Sequence, residues 1–114
     1  MELFFFQDLI ILKPNFELYT SVAAQIREVF AIYDPNFVSH SLDEATLNVT
    51  SYCKTHGLSG KDVAELIKNE VLKRTECSAS IGIACNSRLA KICSNVNKPN
   101  GLVILCVFFL PVVF

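Results

Sequence analysis

No surplus of basic charge marks this sequence: ten Lys and Arg stand against eleven Asp and Glu, a net of −1. A polyanion-binding surface would have to come from local clusters such as Lys91 and Lys98, or from chain outside these residues. There is no C-x-x-C pair either. The five cysteines, Cys53, Cys77, Cys85, Cys93 and Cys106, are odd in number, and no basic segment precedes the first apolar residues. Reduced, intracellular thiols are therefore expected rather than a disulfide framework. Cys53 and His56 supply one loose ligand pair where a structural zinc site takes about four convergent ligands. Tryptophan is absent, whereas nine Phe contribute to an apolar fraction of 52%, much of it at the two ends, MELFFF and LVILCVFFLPVVF. The second run falls short of the roughly 20 apolar residues that span a bilayer and has no flanking basic cluster, so a membrane anchor is not expected. No internal repeat or low-complexity linker divides the chain, and 114 residues suit one small domain with a modest core.

What is present reads as alternating elements. Leu9 to Leu12, closed by Lys13-Pro14, predicts a short buried strand. A helix follows, capped by Asn15, with Glu17 in its first turn and an apolar face of Phe16, Tyr19, Val22, Ala23, Ile26, Val29, Phe30 and Tyr33. Asp34-Pro35-Asn36 stops it. Residues 37 to 50 predict two short strands in a hairpin or bent strand, and 52 to 58 a polar connection. Ser59-Gly60-Lys61-Asp62 has the form of a capping box and opens a second helix whose buried stripe is Val63, Leu66, Ile67 and Val71. Cys77 to Ala84 alternates as a strand, with small residues on its second face that call for a close neighbour. Asn86 or Ser87 caps a third helix reaching about Asn95, and Asn97 to Gly101 forms a turn. The order β-α-β-β-α-β-α predicts an α+β layer, an antiparallel-containing sheet with helices packed on one face.

Within this pattern Asp43-Glu44 stands out, because acidic residues are depleted in strands and neighbours on a strand point to opposite faces. A bend between two strands would let both carboxylates project from one end of the sheet. They would then offer hard oxygens to Mg²⁺, which takes a few protein carboxylates, water and substrate phosphates. An acidic pair in a hairpin is also, more simply, a solvated turn. By the same token Lys98 reads as a cation near a helix end and Lys91 as a solvated helix residue.

The motifs YDPNF (33 to 37), SLDEA (41 to 45), SIGIACNSRLAK (80 to 91) and NKPNG (97 to 101), in this order, resemble the palm of Y-family translesion DNA polymerases, most closely the kappa branch. The resemblance covers about residues 9 to 101. It implies a partial ferredoxin-like palm in which Asp43 and Glu44 are active-site carboxylates holding catalytic magnesium. It further implies that Lys98 contacts the triphosphate of an incoming deoxynucleotide, and that Arg88 and Lys91 lie near nucleic acid or triphosphate. The implied function is magnesium-dependent nucleotidyl transfer on primer-template DNA during damage bypass, in the nucleus, with a sliding clamp contacted through regions beyond these residues.

Departures are equally plain. The family's first catalytic segment, with a further metal-binding Asp, belongs well upstream of residue 9, and Phe4-Phe5-Phe6-Gln7-Asp8 does not reproduce it. The triphosphate-gripping Tyr and Arg motif, fingers, thumb and DNA-gripping domain are not matched. Thr46 stands where an aromatic is common and Asn95 where Asp is common. Residues 1 to 8 are a poorly matched apolar start. The tail, 102 to 114, is expected to be sequence foreign to the family, with its first residues able to serve as an edge strand. On these grounds the chain alone is not expected to polymerise DNA, and the alternative is a catalytically inactive fragment serving at most as an interaction module.

Overall fold

The computed structural model describes residues 8–105, together with the backbone of a strand at Pro111–Val113. Helix α1 (Phe16–Tyr33) begins where expected: Asn15 Oδ1 accepts from the amide of Leu18 at 3.1 Å, satisfying one of the amides a helix start leaves unpaired. The strand expected at Leu9 to Leu12 does not form. These residues are exposed, Ile10 and Leu12 at 82% each, because no strand among the described residues offers them backbone partners and an apolar run carries no register of its own. Ala23, Val29 and Phe30 of α1 are buried and Ile26 and Tyr33 pack on the core, but Phe16 (63% exposed) and Tyr19 (47%) do not, since only the later turns of α1 meet the core.

Strands β1 (Val38–Ser39) and β2 (Ala45–Asn48) form the expected hairpin, antiparallel with Val38 opposite Thr46 and Ser39 opposite Ala45. Asp34 locks its base: Oδ1 accepts from the amide of Asn36 at 2.9 Å and Oδ2 from the amide of Asn48 at 2.8 Å. The polar connection expected after β2 is instead a helix, α2 (Thr50–His56), ended by Gly57 in the left-handed region at φ 64°. It is too short to show helical periodicity in sequence. Its inward residues, Cys53 and Tyr52, join the core, and Tyr52 lies 4.8 Å from the Tyr33 ring.

Helix α3 (Gly60–Thr75) carries the capping box expected of it, with Ser59 Oγ accepting from the Asp62 amide and the Asp62 carboxylate accepting from the Ser59 amide. Its buried row is Val63, Ile67 and Val71, at i, i+4 and i+8, with Gly60 and Ala64 beside it. That row turns Leu66, expected inside, to 42% exposure. Strand β3 (Ile81–Ile83) is shorter than the expected Cys77 to Ala84, and Cys77 is exposed. Its alternation is as read: Ile81 and Ile83 enter the core with α1 and α3, and Gly82 faces α4 (Ser87–Val96). A Cβ at Gly82 would lie 1.9 Å from the Ala90 carbonyl oxygen and 2.4 Å from the Ser94 nitrogen, so only glycine admits this helix so closely. The expectation of helices on one face thus holds for α1 and α3, while α4 lies across the other.

Strand β4 (Leu102–Ile104) pairs parallel to β3 at the sheet edge, and β5 (Pro111–Val113) sits between β2 and β3, antiparallel to both. The five-stranded order is β1-β2-β5-β3-β4. The result is an α+β domain whose hairpin bend, α1 and the loop after α4 surround one cleft.

Candidate active-site cleft

Residues 40–44, between β1 and β2, form a bend closed on a single carbonyl: Glu44 O accepts from the His40 amide at 2.9 Å and from the Ser41 amide at 3.4 Å. The regular ladder stops here, so strict alternation stops too. Ser41 Oγ donates to Asp43 Oδ1 at 2.8 Å and lies 3.4 Å from the Asp43 amide, which donates to it. Asp43 is exposed and Glu44 half-buried. Both line a cleft of about 850 Å³ walled by Leu18, Tyr19 and Ile26 of α1 and closed on another side by Lys98, Pro99 and Asn100. Lys98 is brought there by the loop after α4, in which a Cβ at Gly101 would lie 1.6 Å from the Asn97 carbonyl oxygen. Lys68 Nζ donates to the Asn100 carbonyl at 2.7 Å and ties the same loop to α3.

The structure therefore brings Asp43, Glu44 and Lys98 to one cavity. Arg88 and Lys91 do not line it. They border an adjoining hollow of about 450 Å³ with His40, Thr46 and Ser87, and Glu44 is common to both cavities. Lys91 Nζ donates to Glu44 Oε1, and both side chains are about one-third exposed, at 37% and 38%. Arg88 and Lys98 have no hydrogen-bond or ion-pair partner among the described residues and so bring unneutralised positive charge to the two cavities that Glu44 joins. Thr46, on β2, contacts His40 through Oγ1 and Nε2 at 2.7 Å.

Arg27, Ser39 and Ser41, which frame the bend, were not singled out individually in sequence. Arg27, on α1, donates from Nε to Ser39 Oγ at 3.2 Å and from Nη2 to the Ser41 carbonyl at 3.0 Å. Ser41 had a local signal, a hydroxyl two residues before an aspartate, the spacing of a side-chain turn. Arg27 had none, because its partners lie 12 and 14 residues away.

No group of three or more His, Cys, Asp or Glu that could hold a metal converges among the described residues. The donor set at the bend nonetheless suits a hard divalent cation. Two carboxylates are adjacent, and Asp43 Oδ2 and Glu44 Oε2 take no hydrogen bond from any described residue. Mg²⁺ takes one or two protein carboxylates and fills its remaining positions with water and phosphate oxygen.

The acid pair on the hairpin bend and Lys98, which has no ion-pair partner among the described residues, thus line one cleft of an α+β fold that has relatives among solved structures. It aligns with the Dbh DNA polymerase of an insertion ternary complex at a TM-score of 0.79 and 26% identity, covering 91% of this chain and 30% of that one. It aligns with DinB from Sulfolobus solfataricus at 0.75 and 30% identity, covering 84% and 28%. The chain belongs to the impB/mucB/samB family of Y-family DNA polymerases, whose family model matches residues 3–95. Over 98 residues it is 45% identical to DNA polymerase kappa of Arabidopsis thaliana, covering 86% of this chain and 15% of that protein. Over 104 residues it is 43% identical to DNA polymerase IV of Shewanella loihica, covering 91% and 29%. The chain thus spans less than a third of the relatives it matches.

Proposed function

We propose that this chain supplies part of the palm of a translesion DNA polymerase, with Asp43 and Glu44 as ligands for Mg²⁺ and Lys98 as a contact for nucleotide phosphates. The observation that carries the reading is the meeting of these three side chains, from the hairpin bend and the loop after α4, in one cleft large enough for a nucleotide. The reaction is attack of a primer 3′-hydroxyl on the α-phosphate of a deoxynucleoside triphosphate, with loss of pyrophosphate. Magnesium, when bound, supplies neutralisation of the phosphate charge. The chain's own part is to place two oxyanions side by side, to present the Lys98 ammonium to the phosphates, and to wall the cleft with the apolar residues of α1. Arg88 extends positive charge beyond Glu44, toward the backbone of primer-template DNA, and Lys91, paired with Glu44, lies beside it on the same helix. A nuclear location and a clamp contact made by chain beyond these residues belong to the same reading.

The test is binding before activity. Mn²⁺, used as a paramagnetic stand-in, should bind the purified chain and lose that binding in Asp43→Ala, and a magnesium deoxynucleotide should bind more weakly to Lys98→Ala. Primer extension that needs metal and disappears in Asp43→Ala would make the chain active on its own. Extension absent with Mn²⁺ and nucleotide binding intact makes it a palm module that works within a longer polypeptide. Failure to bind either ligand overturns the proposal in favour of an interaction module.

A further inference from the structure

We infer that Arg27 is a positioning residue for the acid pair, setting through Ser39 and Ser41 the bend that aims Asp43 into the cleft. The inference rests on reading Asp43 and Glu44 as cation ligands. Its basis is a continuous chain of hydrogen bonds. The Arg27 guanidinium holds Ser39 Oγ (3.2 Å) with Nε and the Ser41 carbonyl (3.0 Å) with Nη2. Ser39 Oγ donates to the same carbonyl at 3.1 Å, so Ser41 is gripped by two donors. The Ser41 hydroxyl then donates to Asp43 Oδ1 at 2.8 Å.

Two features separate this from an ordinary surface contact. First, residues 39–43 are all exposed, Leu42 among them at 41%, and none of them joins the buried core of the described residues. Besides the two amides that converge on Glu44 O, its anchors among the described residues are the Arg27 and serine contacts, the His40 to Thr46 contact and, at its last residue, the Lys91 to Glu44 bond. Secondly, the acceptors of Arg27 are neutral oxygens, and no carboxylate pairs with it among the described residues. Arg27 lines the cleft beside Asp43 yet does not neutralise it. Its contribution is geometric: a planar fork delivers two N–H groups in a fixed relation, which a lysine ammonium cannot reproduce. A bend held this way before the ligand arrives loses less conformational freedom when both carboxylates converge on one ion.

The experiment is Mn²⁺ titration of the intact chain by electron paramagnetic resonance, with Asp43→Ala, Arg27→Ala, Arg27→Lys and Ser39→Ala, each checked by thermal unfolding and by the amide resonances of Asp43 and Glu44. Arg27→Ala should weaken Mn²⁺ binding by roughly tenfold, the scale seen when groups supporting a metal ligand are removed. The melting temperature should change little, while the two amide signals shift or broaden even without metal. Arg27→Lys, which keeps the charge but not the fork, should recover little. Should Arg27→Ala unfold the chain, Ser39→Ala, which leaves α1 intact, should weaken binding in the same direction. Wild-type affinity and unshifted amides in Arg27→Ala would overturn the inference, as would full recovery in Arg27→Lys or an effect confined to nucleotide binding. Unchanged Mn²⁺ binding in Asp43→Ala would refute the metal reading itself and the inference with it, a pattern distinct from loss in Asp43→Ala with no effect at Arg27.

Discussion

The ammonium of Lys91 on α4 donates to Glu44 Oε1 at the end of the hairpin bend, joining residues 47 positions apart in the chain. A cation already present beside a candidate metal ligand competes with an added one. Lys91→Met should therefore raise Mn²⁺ affinity in the absence of nucleotide, most clearly at low salt, where such competition is least screened. Its effect on stability should stay within about 1 kcal/mol, because the pair is partly exposed and such pairs contribute little. Metal titration alongside urea unfolding checks both, and a drop in Mn²⁺ affinity would mean that Lys91 supports Glu44 rather than competing for it.

Gly82 is where the sheet and α4 meet backbone to backbone. Gly82→Ala places a Cβ against the Ala90 carbonyl and the Ser94 nitrogen, neither of which can rotate away as a side-chain tip could. The variant should lose about 2 kcal/mol or more, at the upper end of overpacking costs. Denaturant unfolding measures this, and a loss under about 0.5 kcal/mol would show that α4 slides freely on β3.

Acid should unfasten the start of α3. The Asp62 carboxyl is held below its ordinary value, first by the Ser59 hydroxyl and then by the Ser59 amide. A depressed carboxyl stabilises the fold where both folded and unfolded chains are ionised. The difference in stability between wild type and Asp62→Ala should be full above about pH 5, shrink as the unfolded chain protonates near pH 4, and lose its pH-dependent part below the folded-state value. Unfolding curves of both proteins from neutral pH downward test this, and a difference that stays unchanged from neutral pH to the acid end would contradict it.

β2 and β3 do not pair with each other; each pairs with β5. Ending the chain after Leu105 should therefore split the sheet into the β1–β2 hairpin and the β3–β4 pair and leave two open edges. A broader, lower thermal transition and concentration-dependent association by light scattering are expected. A sharp transition at the wild-type temperature from a monomer would show that β5 is dispensable.

Much of this molecule was legible because its signals are local. Asn15, the Ser59 to Asp62 box and Asn86 announced three helix starts through side chains that bond amides a few residues away. Gly82, among small residues on one face of an apolar strand, announced a close neighbour, which proved to be α4. The misread elements share a dependence on distant partners. Leu9 to Leu12 has the composition of a strand and no partner strand among the described residues, and α2 is too short for its period to show. Leu66 fits a helical stripe in sequence and is displaced from it by the row that α3 buries.

The amino-acid sequence by itself determined the α+β class, the hairpin that breaks around Asp43 and Glu44, and the turn that carries Lys98, because caps, turns and alternation act over a few residues. Only the tertiary structure decided that these three side chains share one cleft, that Lys91 spends its charge on Glu44 while Arg88 has no partner among the described residues, that Arg27 grips the bend, and that β5 closes the middle of the sheet. Those relationships depend on backbone and charge meeting across tens of residues, and no local pattern encodes a distance between elements that has yet to be set by packing.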